Sequence, residues 1–368
     1  MTWLRTRFRR GVALIVAVAV AAMLGGFLFA WSGVYNVAAS RAHSGPVEWL
    51  LAFVMRNSVR TQSAGIEPSA DLASADRIVL GAAHFQDGCA FCHGAPGVRR
   101  SVVTASTLPS APDLRPIVPL WEDRDLFWVV KHGIKYTGMP AWVSQERDDE
   151  VWSVVAFLRQ LPTLSEEEYR TLAAVAVDPD LPGAAVSDLG TVVSCVRCHG
   201  DIERRPGSGL VPALHGQSFA YMATALREYS AGSRASGIMQ PLAAALREED
   251  IVALAQYYAD LPVLPVRFDV SQPEALAVLG ETIARAGIAA DDVPACVTCH
   301  GADRLPAYPG LAGQHAPYLT AKLRLWKQGF AGGTEGAAIM APIAARLSDD
   351  NIAAVSAYYA TLPPDAAP

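Results

Sequence analysis

Three copies of one pentapeptide carry all six cysteines of this 368-residue chain. The copies are Cys89-Ala-Phe-Cys92-His93, Cys195-Val-Arg-Cys198-His199 and Cys296-Val-Thr-Cys299-His300. The spacing C-x-x-C-H is typical of covalent haem c attachment. In that chemistry the two thiols bond to the haem vinyl groups, and the adjacent histidine offers a ring nitrogen to the iron. The sequence therefore predicts three haem c groups, each held by two cysteines and one histidine.

Other uses of a C-x-x-C pair explain these motifs less well. The pair could be a redox dithiol or half of a zinc site, and paired cysteines could form structural disulfides. Zinc would need motifs to converge in pairs, whereas the chain has an odd number of them. None of these alternatives explains a histidine directly after every second cysteine.

Three methionines recur at similar distances after the motifs, and each precedes a proline by one or two residues. They are Met139, Met239 and Met340, which follow the motif histidines by 46, 40 and 40 residues. Methionine is a common ligand on the second face of haem iron in electron-transfer cytochromes. We therefore predict that these methionines are iron ligands, with core filling as the alternative role. His132, seven residues before Met139, is a rival ligand in the first unit.

Each motif and its methionine resemble a class I cytochrome c domain. The second and third units resemble the cytochrome c4 and c553 type, and the resemblance spans about residues 72–365. It implies that a proline carbonyl accepts a hydrogen bond from each motif histidine, a role we assign to Pro112, Pro212 and Pro309. Such a bond would fix the imidazole ring and raise its basicity as a ligand. A simple turn proline is the alternative.

The second and third units are internal repeats. Met239 and Met340 are 101 residues apart, as are Tyr258 and Tyr359, which we expect in the core. The resemblance and the repeats predict an all-α chain, with an N-terminal transmembrane helix followed by three tandem class I cytochrome c domains. The predicted bounds are 1–35 for the anchor, 36–70 for a juxtamembrane segment, 71–162 for domain 1, 163–188 for a linker, 189–263 for domain 2 and 264–368 for domain 3.

The N-terminal segment has the composition of a membrane anchor. Gly11 to Ala30 carries no charge, four arginines precede it, and Trp31 and Tyr35 follow. Twenty helical residues span about 30 Å, which is the hydrocarbon thickness of a bilayer. The arginines favour a cytoplasmic N-terminus and therefore put the haem domains in the periplasm. A cleaved signal peptide is the alternative. The apolar residues of 46–59 predict a short helix that lies on the membrane or packs against a partner subunit.

Charge is distributed unevenly along the chain. Residues 1–60 hold seven arginines and one glutamate, whereas the whole chain has a net charge of −6. The acidic remainder argues against nucleic acid as a partner and would suit a basic patch on a redox protein.

Local patterns predict helices that lead into and out of the first motif. We expect helices over about 75–85 and 123–132, and a closing helix that begins near Asp148 with a buried face at i, i+3, i+4 and i+7. Met222 is expected in the core. His43, His84, His215 and His315 have no equivalents in all three units, so no ligand role is assigned to them.

These features predict a membrane-anchored trihaem c-type cytochrome of the bacterial inner membrane, which passes single electrons through His/Met haems in a periplasmic respiratory chain. The sequence shows no catalytic triad, nucleotide loop or carboxylate pair, so we do not expect an enzyme. Its redox partners would be a dehydrogenase or quinol-oxidising complex as donor and an oxidase or soluble cytochrome as acceptor.

Two alternatives stay open. One is the cytochrome subunit of a periplasmic alcohol, aldehyde or sugar dehydrogenase, although such subunits are usually attached to the membrane near the C-terminus. The other is a multihaem peroxidase, which would need one iron with an open position. The first unit, with its different spacing, is the place to look for it.

Overall fold

The computed structural model describes residues 2–173, 189–264, 274–330, 332–364 and 366. Within these ranges the regular structure is helical and contains no strand, which confirms the all-α prediction. The helices are α1 Thr2–Trp31, α2 Gly45–Ser63, α3 Ala75–Gly88, α4 Ala90–His93, α5 Val102–Ala105, α6 Asp123–His132, α7 Asp148–Gln160, α8 Glu166–Leu172, α9 Leu189–His199, α10 Phe219–Ser230, α11 Met239–Ala244, α12 Glu248–Ala259, α13 Glu274–Ala286, α14 Val297–His300, α15 Ala316–Lys327, α16 Glu335–Arg346 and α17 Asp349–Thr361. Short 3₁₀ turns cover Val118–Leu120, Leu161–Thr163 and Ala289–Asp291.

Helix α1 contains the predicted apolar stretch. Its residues Arg7–Trp31 have a mean hydropathy of 2.7, and none of the most apolar part is buried. By length and composition this helix is able to cross a bilayer. It is the one such helix among the described residues.

Helix α2 connects this apolar helix to the first haem unit. Its C-terminal half packs against α6 through the buried residues Val59 and Ser63, and the Ser63 hydroxyl donates to the Asp125 carboxylate. The N-terminal half leaves Trp49 and Phe53 exposed and stacked on each other. The predicted juxtamembrane segment therefore has one half fixed to the first unit and one half with an apolar surface.

The first unit is built around the crossing of α3 and α7. The two helices meet at Gly81, where a Cβ would lie 1.9 Å from the Ser153 carbonyl oxygen. Helix α6 begins with a reciprocal cap between Glu122 and Asp125. The structure confirms the predicted bounds of α6 and the predicted start of α7. It extends α3 three residues beyond the predicted end, directly up to Cys89.

The beginning of the predicted linker belongs to the core of the first unit. Ser165 caps α8 through a capping box with Glu168, and this places Tyr169 against Phe85 and Phe157. Tyr169 has no exposed surface. Residues 163–173 of the predicted linker therefore pack as part of the first unit. The rest of the linker, 174–188, and residues 265–273 of the predicted third domain lie outside the described residues.

The third unit repeats the helix crossing of the first. Helices α13 and α17 meet at Gly280, where a Cβ would lie 2.0 Å from the Ala354 carbonyl oxygen. In the second unit α9 and α12 meet through the buried side chains of Val192 and Leu254. Met222 and Tyr258 are both buried, as predicted, and belong to one core cluster.

Candidate functional site

Each motif histidine is held by a proline carbonyl in the same way. The Nδ1 atom lies 2.9 Å from the Pro112 oxygen for His93, 3.1 Å from that of Pro212 for His199, and 2.9 Å from that of Pro309 for His300. A carbonyl only accepts, so Nδ1 is the protonated nitrogen that donates. The lone pair then resides on Nε2, which is the atom that would bind iron.

The histidines are also kept neutral by their surroundings. Burial lowers the pKa of His199, and the hydrogen bond to the Pro212 carbonyl opposes that shift only in part. Burial acts in the same direction on the pKa values of His93 and His300. A neutral imidazole is the form that ligates a metal.

The motif cysteines are unpaired thiols whose environment does not suit dithiol redox chemistry. Burial raises the pKa of Cys89, Cys195 and Cys198 to about 12. Reactive dithiols and metal-binding thiols instead have a lowered pKa. Within the described ranges no three side chains of His, Cys, Asp or Glu are grouped as metal ligands. The three motifs therefore do not converge on a shared zinc site.

The three methionines lie in different local structures. Met139 is in the loop between α6 and α7, where its backbone N–H donates to the Thr137 hydroxyl at 3.0 Å. Met239 is the first residue of α11, and Met340 lies inside α16, two residues before Pro342. All three are half-buried.

In the second unit the predicted ligands surround one cavity. Cys195, Cys198, His199 and Met239 all line a mainly apolar space of about 480 Å³. That volume lies within the ordinary range for small-molecule and cofactor sites. In the first and third units the motif histidine contacts its proline carbonyl, and the local structure around the methionine is that described above.

Walls of this cavity come from all three units. The first unit contributes the charged residues Arg147 and Glu150, and the third contributes Tyr318 and Lys322. Arg234 of the second unit lies among them, with its guanidinium over the Tyr229 ring at 5.0 Å. The second unit is therefore enclosed by its neighbours on two sides.

A residue just before the first motif contacts a residue inside the second motif. Asp87, two residues before Cys89, forms an ion pair of 3.3 Å with Arg197, which lies inside the second motif. The side chain of Arg197 is only 7% exposed, and it also donates to the Ala173 carbonyl at 3.0 Å. This contact ties the haem-attachment segments of the two units together.

The second and third units are joined by two matching amide contacts. Gln314 accepts from the Ala213 N–H at 2.8 Å and donates to its carbonyl at 3.1 Å. Gln217 makes the same pair of bonds to Gly310, at 3.0 and 2.8 Å. Ala213 and Gly310 directly follow Pro212 and Pro309. Each glutamine therefore fixes the segment whose proline holds the motif histidine of the other unit.

The remaining histidines have roles outside the predicted ligand sets. His215 contacts the Asp201 carbonyl at 2.8 Å, and His84 packs edge-on against Trp142. His132 is exposed and stacks near Trp128. Neither His132 nor His84 is brought into the cavity of the second unit.

The described residues fit haem c. The three histidines are neutral, oriented and adjacent to paired thiols, and in the second unit a methionine shares the same apolar cavity. Cys195, Cys198, His199 and Met239 would hold the group there, and the corresponding residues would do so in the other units.

Several contact residues were missed by the sequence analysis. No role was assigned from sequence to Gln217, Gln314, Asp87, Arg197 or Glu150. No sequence pattern predicts the contacts of Glu150 with the second unit, because Ser236 and Gly237 lie 86 and 87 residues further along the chain.

The chain is similar in sequence to known cytochromes c. Residues 76–158 match the family model described as cytochrome c oxidase, cbb3-type, subunit III, and residues 279–363 match the cytochrome c model. A thiosulfate dehydrogenase electron acceptor from Stutzerimonas stutzeri is 34% identical over 173 residues, which cover 46% of this chain and 79% of that protein. Cytochrome c4 from Thiocapsa roseopersicina is 37% identical over 172 residues, which cover 45% and 84%. The solved cytochrome c4 of Acidithiobacillus ferrooxidans, 32% identical, covers 46% of this chain and 98% of its own length with a TM-score of 0.41.

Proposed function

Since this chain belongs to the cytochrome c family, with cytochrome c4 among its relatives, we propose that it is a membrane-anchored trihaem electron carrier. The observation that carries the proposal is the threefold repetition of a C-x-x-C-H motif whose histidine donates to a proline carbonyl. Three units with the same attachment geometry call for three cofactors. Bound haem c supplies one-electron exchange between ferric and ferrous iron.

Cysteines, histidines, prolines and methionines of the chain would have different parts in holding the haem groups. The haem groups would be joined to the chain through Cys89, Cys92, Cys195, Cys198, Cys296 and Cys299. The iron would be bound by His93, His199 and His300, whose rings are oriented by the carbonyls of Pro112, Pro212 and Pro309. The sulfur atoms of Met139, Met239 and Met340 would supply the second protein ligand of each iron. A thioether ligand and an apolar pocket both favour the ferrous state and raise the reduction potential.

The proposed ligand set favours a carrier over an enzyme. An iron bound by both a histidine and a methionine would have no free position for oxygen, peroxide or substrate. The second unit shares buried contacts with the first and with the third, so we place it between them in the arrangement of the three centres.

The location follows from α1. We propose that α1 is retained and anchors the chain in the bacterial inner membrane, with the haem units in the periplasm. Its length and hydropathy support this assignment, as does the group of arginines before it. The exposed apolar half of α2 would then lie close to the same membrane surface.

A more specific role is favoured by the relatives. Two of them, from Stutzerimonas stutzeri and Thiomonas intermedia, are thiosulfate dehydrogenase electron acceptors. We propose that this chain accepts electrons from a dehydrogenase of that class and passes them on in a respiratory chain. Rapid mixing of the oxidised protein with a thiosulfate dehydrogenase and thiosulfate should reduce its haems. Equal rates with and without the enzyme would leave the carrier function standing and exclude this donor.

The primary test is a count of covalent haem in the purified full-length chain. Intact mass and the alkaline pyridine spectrum should both give three haems per chain. Replacing Cys195 and Cys198 with alanine should remove one haem and leave the other two. The ferric protein should show the weak far-red band of His/Met haem from all three centres. A high-spin centre that binds carbon monoxide would contradict the carrier and favour the peroxidase alternative.

A further inference from the structure

A buried carboxylate of the first unit reaches into the segment that leads to Met239. Glu150, in the first turn of α7, is 4% exposed. Its Oε1 accepts from the Ser236 hydroxyl at 2.6 Å, and its Oε2 accepts from the Gly237 N–H at 2.7 Å. Both partners belong to the second unit. A single side chain of one haem unit therefore holds the backbone of another.

The Ser236 hydroxyl also contacts the backbone of the methionine. Its oxygen accepts from the backbone N–H of Ile238 at 3.2 Å and from that of Met239 at 3.0 Å. Ser236 is only 2% exposed, so water does not compete for these bonds. Two hydrogen bonds in series thus connect the Glu150 carboxylate to the amide of Met239.

The carboxylate is itself fixed within the first unit. Arg147 lies 2.8 Å from Oε1, and the Trp142 indole donates to Oε2 at 3.3 Å. Arg147 also donates to the Ala235 carbonyl at 3.0 Å, one residue before Ser236. Burial raises the pKa of Glu150, and the charge of Arg147 opposes that shift. Each hydrogen-bonding partner described for the two carboxyl oxygens is able to donate, which suits a carboxylate as acceptor.

The other two methionines are held within their own units. Met139 donates its backbone N–H to the hydroxyl of Thr137, two residues earlier in the loop that follows α6. Met340 lies in α16, whose first turn is capped by the Thr334 hydroxyl at 3.0 Å from the Ala337 N–H. The hydrogen bonds from Glu150 through Ser236 to the Met239 amide cross between units, whereas the Thr137 and Thr334 bonds each stay within one unit.

We propose that Glu150 is a positioning residue for Met239, so that docking of the first unit sets the contact of this methionine with the second haem and thereby its reduction potential. The inference rests on the proposed function, because it takes Met239 as an iron ligand. A methionine whose segment is loosely held would make a weaker bond from its sulfur to the iron. Since that bond favours the ferrous state, a weaker bond lowers the potential.

The test compares three single variants of the full-length holoprotein by redox titration and by the far-red ferric band. Glu150→Gln keeps the shape of the side chain but places an amide N–H₂ among donors. Ser236→Ala removes only the connecting hydroxyl. Ser208→Ala is the matched control, because its hydroxyl lies in the same interface, bonded to the Asp76 carbonyl at 2.8 Å, and is equally buried.

We expect Glu150→Gln and Ser236→Ala to lower the equilibrium constant for reduction of one haem about tenfold, a shift of about 59 mV for a one-electron centre. The other two haems and the control should keep their potentials. Hydrogen exchange of residues 235–239 should become faster in the same two variants. Unchanged potentials in both variants would overturn the proposal, and so would an equal shift in Ser208→Ala, which would point to the interface in general.

A fourth variant separates this inference from the proposed function. Met239→Ala should abolish the far-red band of one haem. If the full band persists in this variant, Met239 is not a ligand, and the proposed coordination and the inference both fail. If the band of one haem is lost there, while Glu150→Gln and Ser236→Ala leave all three potentials unchanged, the coordination stands and the positioning role is overturned.

Discussion

The second and third units are repeats in sequence but differ in what makes them rigid. The third packs its own first and last helices at Gly280, and Met340 lies within a helix capped by its own Thr334. The second has its methionine segment fastened by Glu150 of the first unit, and its cavity is walled by residues from both neighbours. Duplication of one fold has therefore produced an end unit whose methionine helix is capped by its own residue and a central unit whose methionine segment is held by a neighbour.

The largest effect is expected at the helix crossing of the third unit. Gly280→Ala should reduce the free energy of unfolding by about 3 kcal/mol, because the new Cβ would lie 2.0 Å from the Ala354 carbonyl and force α13 away from α17. Urea unfolding followed by circular dichroism measures this. Gly336→Ala, which adds the same atom to α16 where nothing lies within 4 Å, should be neutral or slightly stabilising. Similar effects in both variants would contradict a tightly packed crossing.

A pH-dependent effect is expected from the support that the first unit gives to the second. Burial lowers the pKa of His84 from 6.5 to about 4, and its ring packs 4.8 Å from that of Trp142, the indole that donates to Glu150. As the pH falls, the unfolded chain therefore takes up a proton before the folded chain does. The stability contributed by neutral His84 is complete above pH 6.5 and is lost as the pH falls toward about 4, which amounts to about 3 kcal/mol.

The measurement is urea unfolding over this pH range for the native chain and for His84→Phe. The variant should lose this part of the acid sensitivity, because phenylalanine has no proton to gain. The pKa of His132, an exposed histidine of the same unit, is also lowered by partial burial and by the charge of Lys131. His132→Gln should nevertheless retain the part of the acid sensitivity that His84 contributes. A pH dependence that survives in His84→Phe would assign the acid sensitivity to other groups.

The smallest effect concerns the contact between the two repeats. Gln217→Ala and Gln314→Ala should each cost about 1 kcal/mol, since each leaves a buried backbone N–H and carbonyl without a partner. The double variant should cost less than the sum, because the first substitution already loosens the interface that the second would break. A double-mutant cycle measures this coupling. Gln256→Ala, whose amide bonds to Asp260 on the surface, is the control with no expected effect. Strict additivity would mean that the two amide contacts act independently.

The features that were predictable from sequence are those that depend on local chemistry. The C-x-x-C-H spacing and the acidic start of α7 each lie within a short segment. The roles of Pro112, Pro212 and Pro309 followed from the resemblance to class I cytochromes c, and the structure places each proline carbonyl beside its histidine. The helices follow from caps and periodicity, as the coincidence of α6 with its predicted bounds illustrates.

Features that depend on distant partners were not predictable. The segment around Tyr169 was predicted to be part of a linker. Only the fold shows that this tyrosine packs against Phe85 and Phe157. The sequence assigned no role to Glu150, because its hydrogen bond with Ser236 forms only when the two units dock. A single sequence records which residues are suited to burial, but it does not show which other segment they will meet.

The position of Arg197 also constrains the order in which the protein is made. This residue lies between Cys195 and Cys198, and in the folded chain it is almost completely enclosed by contacts with Asp87 and Ala173. If haem is joined to Cys195 and Cys198 as proposed, the reaction needs an accessible peptide and would have to precede docking of the first unit against this segment. Because the first unit is synthesised earlier, it would be able to dock as soon as the second folds. We therefore expect haem attachment at the second motif and docking of the first unit to compete.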